Sequence, residues 1–248
     1  MVQKAWYNIY NVNLQYDGNE PPFANPAEFP WTKEFEENYE AIYKELKEYL
    51  KENNLIGYFI KSMVSRENSW KTIPLRTWGI QQNKNQKKFP FTYSIIQKYP
   101  QILSSSFNLL EAKSKIHPHC GDTNAIYRCH LGLDIPSGLP ECGFIVKGET
   151  RPWENGKWLL FMDAYEHEAY NNSEKDRFIF VVDVIRDDFK NEKEKVCATV
   201  MTSLFLQKRW QKYPFLKKLS SGSIKLLAQL LHPFTRLSIL SVNLFKIY

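Results

Sequence analysis

From Phe107 onward the chain is a succession of short segments rich in β-branched and aromatic residues: IYRCHLGLDIP, ECGFIVKGE, KWLLFMDA and DRFIFVVDVIRDDF. Turn signals separate them, among them Pro136-Ser137-Gly138 and Glu154-Asn155-Gly156. No such segment can satisfy its backbone or cover its apolar face alone. Several of them at regular spacing therefore predict a β-sandwich or jelly roll. With 248 residues and 43% hydrophobic content, the chain can fill one domain core.

Upstream the pattern changes. Residues 1–31 read as irregular. Residues 32–52 predict an amphipathic helix capped by Thr32, with Phe35, Tyr39, Ile42, Leu46, Tyr49 and Leu50 on one stripe. Residues 55–80 read as strands and turns, and a shorter helix is expected from about Thr92 to Leu103, ended near Pro100. The last fifty residues read as helical, with Pro233 expected to divide them. This gives a main domain over 1–198, with an N-terminal helical layer at 1–106 and a β core at 107–190. An extension follows over 199–248.

Charge is concentrated in that extension. It carries eight basic residues (Lys208, Arg209, Lys212, Lys217, Lys218, Lys225, Arg236 and Lys246) and no acidic ones. The remaining 25 basic and 27 acidic residues leave the body at about −2. The extension reads either as a helix pair with a solvated lysine face or as a peripheral contact with an anionic membrane. It holds no recognition element for nucleic acid, so none is expected as a partner. The start, MVQKAWYNIY, has no basic segment followed by an apolar run, so no secretory signal is expected. Four cysteines in a chain of this length match neither a zinc pattern nor a disulfide scaffold. The expected location is a reducing cytoplasm, with membrane-peripheral placement as the alternative.

The chemistry is concentrated in the middle. Of five histidines, His117, His119 and His130 lie in HPHCGDTN and RCHLGL, and His167 lies in YEHE. Such clustering suggests a transition-metal site, because neutral imidazole is the commonest ligand type. Arg128 and His130 are two apart on a predicted strand, so they share a face and predict a cationic patch for an anion. Arg177 opens an apolar strand, on the face of Ile179 and Val181, and could anchor a carboxylate. Taken singly, His130 is more simply a structural histidine, and Arg177 reads equally as an edge charge or a functional one. Asp163 and Asp183 read as surface or turn residues, and Trp78 and Trp153 as packing residues.

The ordered set is more specific. Pro118-His119-Cys120-Gly121, Thr123-Asn124, Arg128-Cys129-His130-Leu131-Gly132-Leu133, Ile135-Pro136, Trp153-Glu154-Asn155-Gly156-Lys157, Glu166-His167-Glu168 and Arg177 resemble the aspartyl/asparaginyl β-hydroxylase family. A weaker likeness extends to Arg76-Thr77-Trp78-Gly79. The resemblance implies a mainly β fold, a double-stranded β-helix (jelly-roll, cupin-like) core with flanking N- and C-terminal helices. It implies an Fe(II)- and 2-oxoglutarate-dependent dioxygenase using O2. By position, His119 and His167 resemble the iron ligands and Arg177 the residue pairing with the distal carboxylate of 2-oxoglutarate. Arg128, His130 and Asn108 resemble contacts to co-substrate or substrate.

The usual third ligand, a carboxylate two residues after the first histidine, is Gly121 here, as in some relatives where water takes that place. Asp122 is expected to lie behind the metal. The implied reaction is hydroxylation at the β-carbon of an aspartyl or asparaginyl unit. Alternatives are hydroxylation of a lipid acyl chain of the lipid A type, of a free amino acid or small metabolite, or a binding module without turnover. Selectivity is expected from loops around 1–31, 80–90 and 134–142.

Overall fold

A computed structural model describes residues 4–11 and 14–245; Lys246 of the basic tail lies outside them. Twelve strands pair antiparallel throughout: β1 (Phe23–Ala24), β2 (Ile56–Gly57), β3 (Trp70–Thr77), β4 (Ile80–Gln81), β5 (Ile102–Leu110), β6 (Ser114–Cys120), β7 (Ile126–Asp134), β8 (Cys142–Val146), β9 (Glu149–Arg151), β10 (Trp158–Met162), β11 (Glu166–Asn171) and β12 (Arg177–Ile185). The large sheet runs β1-β10-β7-β12-β5-β3-β2, with β4 beside β3, and the small one runs β6-β11-β8-β9. From β5 to β12 the chain passes back and forth between the two sheets, which is the winding of a double-stranded β-helix. The large sheet also draws β3 and the first half of β5 from residues before 107.

Alternation along the strands gives each sheet two different faces. On β12, Phe180, Val182 and Val184 join Phe107, Leu109, Cys129 and Leu131 on the outer face of the large sheet. Helices α1 (Trp31–Glu37), α2 (Tyr39–Leu50) and α4 (Pro90–Gln97) cover that face, and the short α3 (Asn83–Gln86) precedes α4. The intervening residues, Arg177, Ile179, Val181 and Asp183, point to the inner face and line a cavity between the sheets.

The expected stripe on residues 32–52 is correct: Phe35, Ile42 and Leu46 are fully buried. Burial of each contributes about 1.5–3 kcal/mol. The expected single helix is two, divided at Asn38, whose Nδ2 donates to the Glu34 carbonyl at 2.7 Å. Thr32 is not a cap either. It lies inside α1, and its hydroxyl donates to the Phe29 carbonyl at 2.7 Å instead of accepting from a helix N–H.

The C-terminal helices are α5 (Lys193–Lys212) and α6 (Ser221–Phe245). Pro233 sits inside α6 without ending it. Val196, Val200, Leu206, Ile224 and Ala228 seat the pair on Leu103, Ile126 and Trp78 at one end of the large sheet. No described helix is long and apolar enough to cross a membrane.

Candidate active site

His119 on β6 and His167 on β11 face each other directly in the small sheet. Strict alternation would not allow this. Ile116 pairs with Ala169 and also faces the cavity, and His119 lies an odd three positions beyond Ile116. A bulge resolves the conflict: His117 and Pro118 stand opposite the single residue Glu168. Bulges re-aim side chains, and they are among the few places where a sheet accepts proline, which has no N–H for the ladder.

The two rings lie 4.2 Å apart between centroids, close enough for one ion to bridge them. Each Nδ1 lies 2.8 Å from the carbonyl two residues earlier, His117 for His119 and Tyr165 for His167. A carbonyl can only accept, so the ring proton sits on Nδ1 and the Nε2 lone pair is free for a metal. Burial pushes both imidazoles down to about 3, and the neighbouring His167 adds to the shift at His119. Both rings are therefore neutral at physiological pH, as metal ligation requires.

Arg177, the first residue of β12, is 1% exposed yet lines the same cavity. Its Nε has no hydrogen-bond partner, and among the described residues no carboxylate pairs with it. Burial lowers it to about 10, so it remains charged. Its guanidinium lies 4.3 Å above the Trp153 ring, a stabilising contact for a buried cation that no described carboxylate pairs with. Trp153 Nε1 in turn donates to His130 Nδ1 at 3.3 Å. His130 is held neutral by burial, then by Arg177, so its proton is on Nε2 and that atom is a donor. Asn108 also lines the cavity, but its Oδ1 accepts from Trp70 Nε1 and its Nδ2 donates to Ser106 Oγ.

Arg128 corrects one expectation. It shares a face with His130, but the pair is not a free cationic patch. Arg128 is held by Asp183 through Nε and Nη2, at 2.7 and 3.1 Å, and by Asp163 through Nη1 at 2.7 Å. Neither Asp163 nor Asp183 is a surface residue: Asp163, on the turn after β10, and Asp183, on β12, are both buried, at 0% and 4% exposure. The trio sets two carboxylates against one guanidinium. Asp163 Oδ1 lies 4.0 Å from His167 Nε2.

These residues fit a divalent cation. Two neutral imidazoles present free lone pairs beside the buried carboxyl group of Asp163. Asp163 Oδ2 is fully buried with no hydrogen-bond partner. A Cβ placed on Gly121 would come within 1.9 Å of that oxygen. The side-chain space at position 121 is thus filled by a carboxylate from the turn after β10. Among the described residues no three His, Cys, Asp or Glu side chains are placed to hold a metal. The arrangement is two imidazoles with a carboxylate behind them. Asp122 also stands behind the site: it accepts from Ser203 Oγ at 2.8 Å and Gln207 Nε2 at 3.3 Å on α5, and burial raises it to about 6.

The cavity measures about 930 Å³. Of the loops expected to shape it, only the first contributes, through Asn8 and Ile9. Its other walls are residues 56–63 and the α5–α6 pair, including Leu204, Lys208, Trp210 and Ile224. A signal for Asp183 existed, since it shares strand parity with Arg177. Trp153 lay within a quoted motif but was read as packing alone. Nothing local to 56–63 or 203–224 marks them as cavity walls, because their approach depends on tertiary packing.

The sequence model of the aspartyl/asparaginyl β-hydroxylase family matches residues 36–187. The ornithine lipid ester-linked acyl 2-hydroxylase of Rhizobium tropici is 34% identical over 73% of this chain and 66% of its own length. The human aspartyl/asparaginyl β-hydroxylase is 28% identical over 73% of this chain and 24% of its own length. The Xenopus tropicalis aspartate β-hydroxylase domain-containing protein 2 is 33% identical over 59% of this chain and 40% of its own length. This chain thus spans about two-thirds of the first of these relatives and less than half of the others. The chain belongs to the aspartyl/asparaginyl β-hydroxylase family.

Proposed function

We propose that this chain is an Fe(II)- and 2-oxoglutarate-dependent hydroxylase whose substrate is a lipid acyl chain. One observation carries the co-substrate: a buried guanidinium without a carboxylate partner, Arg177, opens into the cavity that also holds the neutral His119–His167 pair. Leaving that cation unmatched is costly, and a carboxylate of the co-substrate would satisfy it. Bound Fe(II) would supply activation of O2 coupled to decarboxylation of 2-oxoglutarate, one oxygen atom going to succinate and the other to the substrate C–H bond, with CO2 released.

The chain's own residues then have distinct tasks. Arg177 grips the distal carboxylate, and Trp153 holds Arg177 in place from below. Through Nε1, Trp153 also fixes the His130 tautomer, leaving His130 Nε2–H as a second donor into the cavity. Asn108, already engaged by Trp70 and Ser106, shapes this end of the cavity more than it binds. Arg128 holds Asp163 and Asp183 in place instead of contacting the co-substrate. Asp163 supports the ligands from behind and orients whatever fills the third position.

The substrate class rests on the remaining walls, where Ile9, Ile60, Met63, Leu204 and Ile224 form an apolar lining suited to an alkyl chain. It also rests on the name of the Rhizobium relative. The second reading, hydroxylation at an aspartyl or asparaginyl β-carbon, draws on the names of the human and Xenopus relatives. The test incubates the full chain with Fe(II), ascorbate and 2-oxoglutarate, then adds either acylated membrane lipids or aspartyl- and asparaginyl-containing peptides. Succinate is followed by NMR and product by mass spectrometry. Iron-dependent succinate formation with gain of one oxygen on the acyl chain is expected. Oxygen gained by the peptide instead moves the substrate to the second reading. No binding and no turnover of 2-oxoglutarate under any condition refutes the whole assignment.

A further inference from the structure

α6 is apolar on two sides. One side is accounted for: Ile224, Ala228 and Val242 are buried, with Leu231 and Ile239 partly covered. Residues turn by about 100° each along a helix. Leu226, Leu230, Leu237, Leu240 and Leu244 therefore form a second stripe, roughly opposite the first. These five are 52–75% exposed, as are Phe234 and Phe245 beside them. The α5–α6 connection adds exposed Tyr213, Phe215 and Leu219. A contiguous apolar surface of this size, on the order of several hundred Å², marks an interaction site on a soluble domain. A helix apolar all round is normally covered all round.

What covers it is indicated by charge. Lys208, Arg209, Lys212, Lys218 and Lys225 share these two helices and their connection, Arg236 of α6 is paired with Glu194 of α5 at 2.6 Å, and residues 199–248 hold no acidic side chain. Apolar side chains bordered by lysine and arginine, with Glu194 already engaged by Arg236, match an interface whose interior is hydrocarbon and whose surface is anionic. The helix is about 37 Å long but not apolar enough to span a bilayer, so it would lie in the plane. Leu204, Lys208, Trp210 and Ile224 from the same helix pair line the cavity. Trp210 Nε1 is buried there without a hydrogen-bond partner.

We infer that α6 and the α5–α6 connection form a docking face for an anionic lipid bilayer, which sets the cavity against the membrane surface. This goes beyond the hydroxylase reading and stands without it, because docking is measured without turnover. The full chain is sedimented with vesicles of phosphatidylcholine alone and of phosphatidylcholine mixed with phosphatidylglycerol. Binding to the mixed vesicles is expected to be roughly tenfold or more stronger, and to weaken in high salt. The double variant Leu230→Glu/Leu237→Glu, altered only on the exposed stripe, should lose at least about tenfold in vesicle binding while keeping the wild-type melting temperature. Binding that is absent, equal on both vesicles, or unchanged in the variant overturns the inference. So does sedimentation equilibrium showing a dimer that the same variant dissociates, since a second copy would then be the cover.

Discussion

Replacing Gly121 by alanine tests whether the carboxylate behind the histidines belongs to Asp163. In the wild type a Cβ at position 121 would lie 1.9 Å from Asp163 Oδ2, 2.1 Å from its Cγ and 2.5 Å from its backbone carbonyl oxygen. All three are far inside van der Waals contact. The carbonyl cannot swing away freely, because it accepts the Gly121 N–H at 2.8 Å. Overpacking of this kind costs about 1–3 kcal/mol, and the backbone contact puts Gly121→Ala at the upper end. For a domain of this size the melting temperature should fall by about 5–12 °C. The side chain of Asp163 must also leave its place beside Arg128 and His167, so affinity for Fe(II) or Co(II) should drop about 10–100-fold.

A double-mutant cycle separates the two effects. Asp163→Ala removes the Oδ2 and Cγ contacts but leaves the carbonyl, so the double variant should be more stable than the two single losses predict by more than about 1 kcal/mol. Thermal melting and metal titration of the four proteins give the answer. A Gly121→Ala variant with wild-type stability and metal affinity, or strictly additive losses, would refute the reasoning.

Other expectations concern single groups. Arg177→Met removes the cation at nearly constant volume; 2-oxoglutarate binding by calorimetry should weaken at least about 30-fold, on the scale of a charge-assisted pair worth 2 kcal/mol or more, with metal binding unchanged. Trp153→Phe keeps a ring under Arg177 but loses the hydrogen bond to His130, so 2-oxoglutarate affinity should fall less than in Arg177→Met, about 3–10-fold. Asp122 has a raised folded-state pKa of about 6, so its contribution is full at low pH and lost as pH rises through 6. Asp122→Asn can still accept from Ser203 and Gln207 through Oδ1, and should gain up to about 3 kcal/mol in urea unfolding above pH 7, with the gain vanishing near pH 4. His167 is depressed to about 3, so the metal-free protein should lose stability as pH falls below about 6.5, by up to about 1.4 kcal/mol per pH unit for this group; His167→Gln should remove that slope and abolish Co(II) absorption bands.

The strands and the histidines were legible because both depend on local pattern. β-Branched runs between turn residues located β7, β8, β10 and β12, and parity on β12 correctly placed Arg177 with Ile179 and Val181. The inner and outer faces follow from the same parity. What could not be read is what sits across the cavity. Arg128 looked like a free cation because neither carboxylate that neutralises it is close in sequence: Asp163 is on the turn after β10 and Asp183 is on β12. The division of α1 from α2 turns on one asparagine side chain competing for a backbone carbonyl, which a sequence of good helix formers does not announce. The cavity walls at 56–63 and 203–224 come from segments that carry no motif: the first is brought in by the pairing of β2 with β3, the second by helices packed on the end of the large sheet.

The surplus residue at His117–Pro118 has a mechanical meaning. In an unbroken ladder, any creep of β6 along β11 would be carried residue by residue from Ser114 to the imidazole at position 119, and a shift of one step would turn that imidazole out of the cavity. The bulge is slack in that line. Ser114–Ile116 can follow movements of the rim loop, whose Ser65 bonds Lys115, while the pair at His119 and His167 keeps its own registration. The pairing of the two imidazoles is thereby insulated from sequence change at the cavity edge, so the edge can vary without re-aiming them.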